Sequence, residues 1–87
     1  MEDERIGTVT HYFAEPGVGA IELQARLRVG DVVAFRGATT DFRQEIRSME
    51  LDHEQVDAAG AGSEIAVKVE DRVREGDEVH RVETAGG

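Results

Sequence analysis

The stretch Leu27-Arg28-Val29-Gly30-Asp31-Val32-Val33-Ala34-Phe35-Arg36-Gly37-Ala38-Thr39-Thr40-Asp41-Phe42-Arg43-Gln44-Glu45-Ile46 decides the fold, because it reads turn, strand, turn, strand. Gly30 supplies the positive φ that a tight turn demands, and Asp31 can accept hydrogen bonds from nearby backbone amides. Val33 and Phe35 then alternate with small or polar neighbours, the period of a half-buried strand. Gly37 to Asp41 breaks the run, and Phe42 starts the next strand. The same corner recurs near the other end. Val73-Arg74-Glu75-Gly76-Asp77-Glu78-Val79 echoes Leu27 to Val33, each copy holding an arginine, a Gly-Asp turn and a valine entering a strand. Two copies are too few for a solenoid and fit two similar corners of one closed sheet.

Upstream, Ile6 to Phe13 is rich in β-branched and aromatic residues and reads as the first strand. Ala14-Glu15-Pro16-Gly17 is turn chemistry. Val18 to Ala25 forms the second strand, and its apolar phase slips from Val18 and Ala20 to Ile21, Leu23 and Ala25. Such a slip marks a β-bulge or a barrel corner. Downstream, Phe42 to Leu51 is long for a strand. Phe42, Gln44 and Ile46 share one face and Met49 and Leu51 the other, so a bend is expected near Arg47-Ser48. Arg43, Glu45 and Arg47 alternate in the manner of a solvated face. Asp52 to Val56 extends as a short strand. Asp57 to Ser63 is a connection, with room for a brief helical turn at Asp57-Ala58-Ala59. Ile65, Val67 and Val69 make an inward row with Ala66 and Lys68 outward, and Glu83 to Gly87 is expected to fray.

Six or seven short strands, a turn roughly every ten residues and no sustained 3.6-residue period argue for an all-β barrel or sandwich. Closure removes exposed edges, so the expectation is a small closed six-stranded barrel. It forms one domain over residues 1–87, with an ordered core from 5 to 83.

A chain of 87 residues buries only about 60–65% of its unfolded surface, so the core is small. With no cysteine, disulfides and thiolate metal sites are excluded. No apolar run approaches the ~20 residues of a membrane span, and Met1-Glu2-Asp3-Glu4 is acidic where a signal peptide is basic. The expected location is the cytoplasm, away from membranes. Nineteen acidic side chains face ten basic ones for a net charge of −9, and Lys68 is the single lysine. This composition suggests adaptation to high salt, in competition with a negative surface selected for a basic partner. Non-specific attraction to nucleic acid is disfavoured at low salt, an objection that weakens once the Debye length falls to ~3 Å in molar salt.

Several segments carry a resemblance. Gly7-x-Val9, Leu27-x-Val29-Gly30-Asp31-x-Val33, Ile46-x-Ser48-Met49-Glu50, Val56-x-x-Ala59 and Ile65-x-Val67 resemble the second domain of translational GTPases such as elongation factor Tu and bacterial initiation factor 2. That domain is a six-stranded barrel, and the likeness covers Ile6 to Val82 without any counterpart of the nucleotide-binding domain. Val9-Thr10-His11-Tyr12-Phe13, Gly37-x-Thr39-Thr40-Asp41-Phe42-x-Gln44 and Ser48-Met49 look like the stand-alone translation elongation factor-like proteins. They also look like the C-terminal barrel of collagenase-like peptidase-family proteins, several of which are linked to RNA hydroxylation. The resemblance implies the fold more firmly than any activity.

Catalytic signatures are missing. A P-loop needs Gly-Lys-Ser/Thr before a helix, whereas Lys68 lies in a strand, so no nucleotide is expected. His11, His53 and His80 lack metal-ligand spacing, and Ser48 and Ser63 lack a nucleophile elbow. The chain therefore reads as a non-enzyme without metal or cofactor. Its candidate ligand-binding residues are His11, Tyr12, Arg36, Thr39, Thr40, Asp41 and Arg43. Aromatic and hydroxyl groups there can stack a base and hold phosphate or ribose, with Arg36, Arg43 and Arg47 as nearby cations. In translational GTPases the matching barrel helps hold the aminoacyl end of tRNA, so the resemblance implies an RNA or tRNA-like ligand. The structural alternative has Phe13 and Phe42 filling the core, Thr39 and Thr40 capping a turn and Asp41 accepting backbone amides. Two classes stay open: a translation- or RNA-associated binding module, and a protein-interaction barrel serving a collagenase-like peptidase-family or RNA-modifying enzyme. A clustered positive patch favours the first, and an exposed apolar edge strand the second.

Overall fold

Hydrogen bonds from Ile46 set the architecture. In a computed structural model, which describes residues 4–82, the Ile46 amide donates to the Asp31 carbonyl and its carbonyl accepts from Gly30, both at 2.8 Å. That contact pins the end of one strand to the first Gly-Asp corner and turns the chain across the molecule. Ten β elements result: β1 (Glu4–Phe13), β2 (Val18–Leu23), β3 (Leu27–Arg28), β4 (Val32–Arg36), β5 (Asp41–Glu45), β6 (Met49–Leu51), β7 (Glu54–Val56), β8 (Ala58–Ala59), β9 (Glu64–Lys68) and β10 (Glu78–Arg81). The described residues contain no helix.

Eight strands form one antiparallel sheet in the order β5-β4-β10-β1-β2-β9-β6-β7, and β3 pairs with β8 in a separate two-stranded ribbon. The all-β expectation holds, but the closed six-stranded barrel does not. The sheet is an open half-barrel with β5 and β7 as its edges. The long Phe42–Leu51 segment splits at Ile46–Ser48, where the bend was expected, so β5 stays beside β4 while β6 joins β9 through Met49↔Val67. Among the described residues, no backbone ladder links β5 to the far side. A side chain does so instead: Gln44 Nε2 donates to the Lys68 carbonyl at 2.9 Å, and Gln44 Oε1 accepts from the Glu70 amide at 2.8 Å.

Two local expectations are also corrected. The phase slip read in β2 belongs to its partner, because Gly19, Ile21 and Leu23 are buried in unbroken alternation. The register slips in β1 between Val9 and His11, leaving Thr10 as the extra residue. Asp57-Ala58-Ala59 makes no helical turn. Leu27 and Arg28 need a partner strand, and Ala59 and Ala58 supply it, with Val29 donating to Asp57 at 2.9 Å. Asp52 and His53 take positive φ of 53° and 68°, the signature of a tight primed turn that links β6 to β7. The expected fraying beyond Glu83 lies outside the described residues.

The core lies inside the curved sheet: Ile6, Val9, Ile21, Leu23, Leu27, Val33, Phe35, Ile46, Met49, Ile65, Val67, Val73 and Val79 are each at most 2% exposed. Burying one such side chain contributes about 1.5–3 kcal/mol, so this row carries the fold. Phe42 stacks on Phe35 with ring centroids 5.0 Å apart. Ala34, on the opposite face, is also buried because its cross-strand neighbours are the longer His80 and Arg43.

Candidate interaction surface

The two Gly-Asp corners are one turn built twice. Arg28 and Arg74 carbonyls accept from Asp31 and Asp77 amides at 3.1 and 3.0 Å, closing four-residue turns. Gly30 and Gly76 take φ of +102° and +94°, which a type II turn requires at its third residue. Asp31 and Asp77 carboxylates then accept from Arg28 and Arg74 amides at 3.0 and 2.8 Å. The tenants differ. Asp31 also accepts from Arg81 Nη1 at 2.9 Å, and Arg81 donates to the Arg26 carbonyl, so the first corner is tied to β10. Asp77 is buried beneath the β4–β5 hairpin, where a Cβ added to Gly37 would meet its Oδ1 at 1.9 Å.

This second corner divides the residues singled out from sequence. Gly76 donates to Val9 at 2.8 Å, placing the turn alongside β1 on one side, while Asp77 abuts Gly37 on the other. His11 and Tyr12 lie on the β1 side. His11 is exposed, and Tyr12 is half-buried against the core. Thr39, Thr40 and Asp41 lie on the hairpin side, where Thr39 and Asp41 are exposed and Thr40 is buried. No described hydrogen bond or ring contact joins the two groups. The alternative that placed Phe13 in the core is corrected: Phe13 is 48% exposed and lies against His11, centroids 4.3 Å apart. Past the bulge, β1 outruns β10 and stays paired with β2 alone, through Phe13↔Val18, among the described strands.

Arg36 and Arg43 sit on the outer face of β4 and β5. Thr8, Glu78, Arg36 and Asp41 form one cross-strand row, and Arg5, His80, Ala34 and Arg43 the next. Carboxylates are interleaved with cations here, so no continuous positive patch forms. His80 Nε2 lies 2.9 Å from Glu78, and the Arg5 guanidinium 3.7 Å from it. The His80 hydrogen bond first, then the Arg5 charge, holds the Glu78 carboxyl below its ordinary value of 4.5. A lowered carboxylate stabilises the fold above the ordinary carboxylate range and loses that contribution as pH falls through the lowered value. In an NMR titration, His80→Ala is expected to move the Glu78 midpoint upward, and an unmoved midpoint would contradict this origin.

Sequence reasoning missed Arg72 and Arg74 as surface groups, although the repeated corner pointed to their location. A shallow groove of about 390 Å³ is lined by His11, Tyr12, Ala14, Arg72, Val73, Arg74 and Glu75. The backbone amides of Arg72 and Arg74 are held by Asp71 and Asp77, while their guanidinium groups have no hydrogen bond or ion pair among the described residues. A second cleft, of about 340 Å³, marks the seam bridged by Gln44 and is lined by Glu45, Arg47, Ser48, Lys68, Val69 and Glu70 as well. Among the described residues, no group of three or more histidine or acidic residues could hold a metal ion, and no helix is long and apolar enough to cross a membrane.

The all-β half-barrel is similar to a C-terminal domain of a U32 peptidase. The C-terminal domain of a Geobacillus thermoleovorans protein described as a U32 peptidase superposes with a TM-score of 0.85 at 25% identity, covering 88% of this chain and 98% of that one. A second structure of that domain gives 0.87 at 24% identity over 92% and 93%. In sequence, the chain is 37% identical over 76 residues to an uncharacterized protease of Methanocaldococcus jannaschii, covering 86% of this chain and 19% of that protein. It is 28% identical over 78 residues to a collagenase of Porphyromonas gingivalis, covering 87% and 22%. The chain thus spans about a fifth of the length of the curated relatives it matches. No family model matches. The resemblance to collagenase-like peptidase-family barrels is supported, whereas these comparisons lend no support to the resemblance to translation factors.

Proposed function

We propose that the chain is a non-catalytic protein-interaction domain that serves as an accessory to a collagenase-like peptidase-family catalytic unit. The observation carrying this reading is the near end-to-end superposition on a C-terminal domain of a U32 peptidase, 98% of which is covered. The short span within the curated relatives supports it too, since a fifth of a protease is the size of an appended module. The surface charge agrees: cations on the outer face alternate with carboxylates, a poor phosphate track for RNA. The chain would bring its catalytic unit to a substrate or hold it in place, and its own side chains would bind rather than cleave. Incubation of the isolated chain with gelatin and casein is expected to leave both intact. Cleavage that follows the chain through purification would overturn the reading.

A further inference from the structure

We propose that the tip of β1 and the second Gly-Asp corner form the docking surface of this domain, and that its occupant is an acidic segment with apolar flanks from a partner polypeptide. The inference rests on the protein-interaction reading and deepens it by assigning a surface and a ligand chemistry. Phe13 and Val29 are the exposed large hydrophobic side chains among the described residues, and Phe13 is the more exposed. Its ring lies on His11, and His11 lines the groove that also holds half-buried Tyr12. Tyr12 and Phe13 follow one another in β1, so the exposed Phe13–His11 pair and the half-buried Tyr12 flank the tip of the strand from its two faces. Aromatic and arginine side chains of this kind carry most of the energy in protein interfaces.

The charge at the groove argues for the occupant. On a chain of net charge −9, Arg72 and Arg74 present guanidinium groups with no partner among the described residues, against a single lining carboxylate, Glu75. Each arginine is held at its amide, by Asp71 at 2.8 Å and Asp77 at 2.8 Å, so the backbone is fixed while the cation remains available. Guanidinium groups recognise carboxylates through paired donors, and a fixed backbone lowers the ordering cost of binding. Phosphates share that donor chemistry. Two arginines beside an apolar groove on an acidic chain nevertheless favour a carboxylate-bearing peptide over RNA, whose binding depends on many phosphate contacts.

The fold supplies its own control. Arg28 occupies the same place in the first corner, with the same turn and the same carboxylate on its amide. That corner lies beside β8 and Arg81, its exposed apolar side chain is Val29, and the ring contacts among the described residues do not involve its residues.

The test uses the full chain and three probes: a fluorescein-labelled peptide alternating glutamate with leucine and proline, its lysine-for-glutamate counterpart, and a single-stranded oligoadenylate. Fluorescence anisotropy is expected to show binding of the acidic peptide only. Arg72→Glu with Arg74→Glu, and separately Phe13→Ser, should weaken it about tenfold or more. Arg28→Glu should leave it unchanged. None of these exposed side chains holds the turn together, so circular dichroism should match the parent. In NMR shift mapping, the acidic peptide should perturb His11 to Ala14 and Arg72 to Glu75. Peptide binding that the groove variants leave unchanged, or that maps to the seam at Gln44 and Lys68, would overturn the assigned surface but leave the protein-interaction reading standing. Absence of peptide binding would overturn the surface as well. Preferential binding of oligoadenylate, lost in the arginine variants, would overturn both the peptide occupant and the protein-interaction reading.

Discussion

Gly37→Ala is expected to destabilise the domain by about 2–3 kcal/mol, because a Cβ there falls 1.9 Å from the Asp77 carboxylate. For a domain of this size that corresponds to a fall of roughly 10–20 °C in Tm. The cost arises from space rather than backbone conformation, since Gly37 is not among the positive-φ glycines. Asp77 has no free direction in which to move: it is 5% exposed, and Oδ2 is held by the Arg74 amide. The two substitutions should therefore couple. Asp77→Ala alone loses that bond at about 1–2 kcal/mol, but in its background Gly37→Ala should cost under about 1 kcal/mol. Urea unfolding of the four proteins measures the coupling, and strictly additive costs would contradict the contact between hairpin and corner.

Gln44→Leu should be comparably damaging for a different reason. Leucine keeps the volume but leaves the Lys68 carbonyl and the Glu70 amide unpaired at the seam. Unpaired groups of this kind cost about 1–3 kcal/mol each where water is excluded, so about 2–4 kcal/mol is expected for the pair. The effect should also be local. Amide exchange at Glu70 should accelerate before the β1–β2 ladder opens, because the Gln44 hydrogen bonds bridge the sheet at that point. Gln44→Glu keeps the acceptor for Glu70 but buries a carboxylate and turns one of its oxygens toward the Lys68 carbonyl, so it should be at least as damaging as leucine at neutral pH. Unchanged Glu70 protection in Gln44→Leu would mean that the seam is held by something else.

These two sites show how legibility divided along the chain. Local features were readable: the twin corners at Gly30 and Gly76, the bend after Ile46 and the inward row Ile65, Val67, Val69 follow from residue type and period alone. Closure was not. A period-two pattern says which face of β5 is buried, but the same pattern serves a closed barrel and an open sheet bridged by a side chain. Gln44 read as one more inward residue, and only its reach to Lys68 and Glu70 distinguishes the two. The bulge falls on β1 rather than β2 for a related reason, since two paired strands share one register slip. At the surface, His11 and Tyr12 were found because aromatics on a polar chain stand out. Their neighbours Arg72 and Arg74 are some sixty residues away in sequence, brought beside them by the Gly76–Val9 hydrogen bond.

The accessory-domain account is tested most directly by amide exchange on this chain in two settings: alone, and replacing the matching fifth of the Methanocaldococcus jannaschii protease. Docking against the rest of that protein should slow exchange in His11 to Ala14 and in Arg72 to Glu75, while the outer face of β4 and β5 exchanges as in the isolated chain. Exchange identical at every amide in the two settings would show a domain that touches nothing, and would contradict the account.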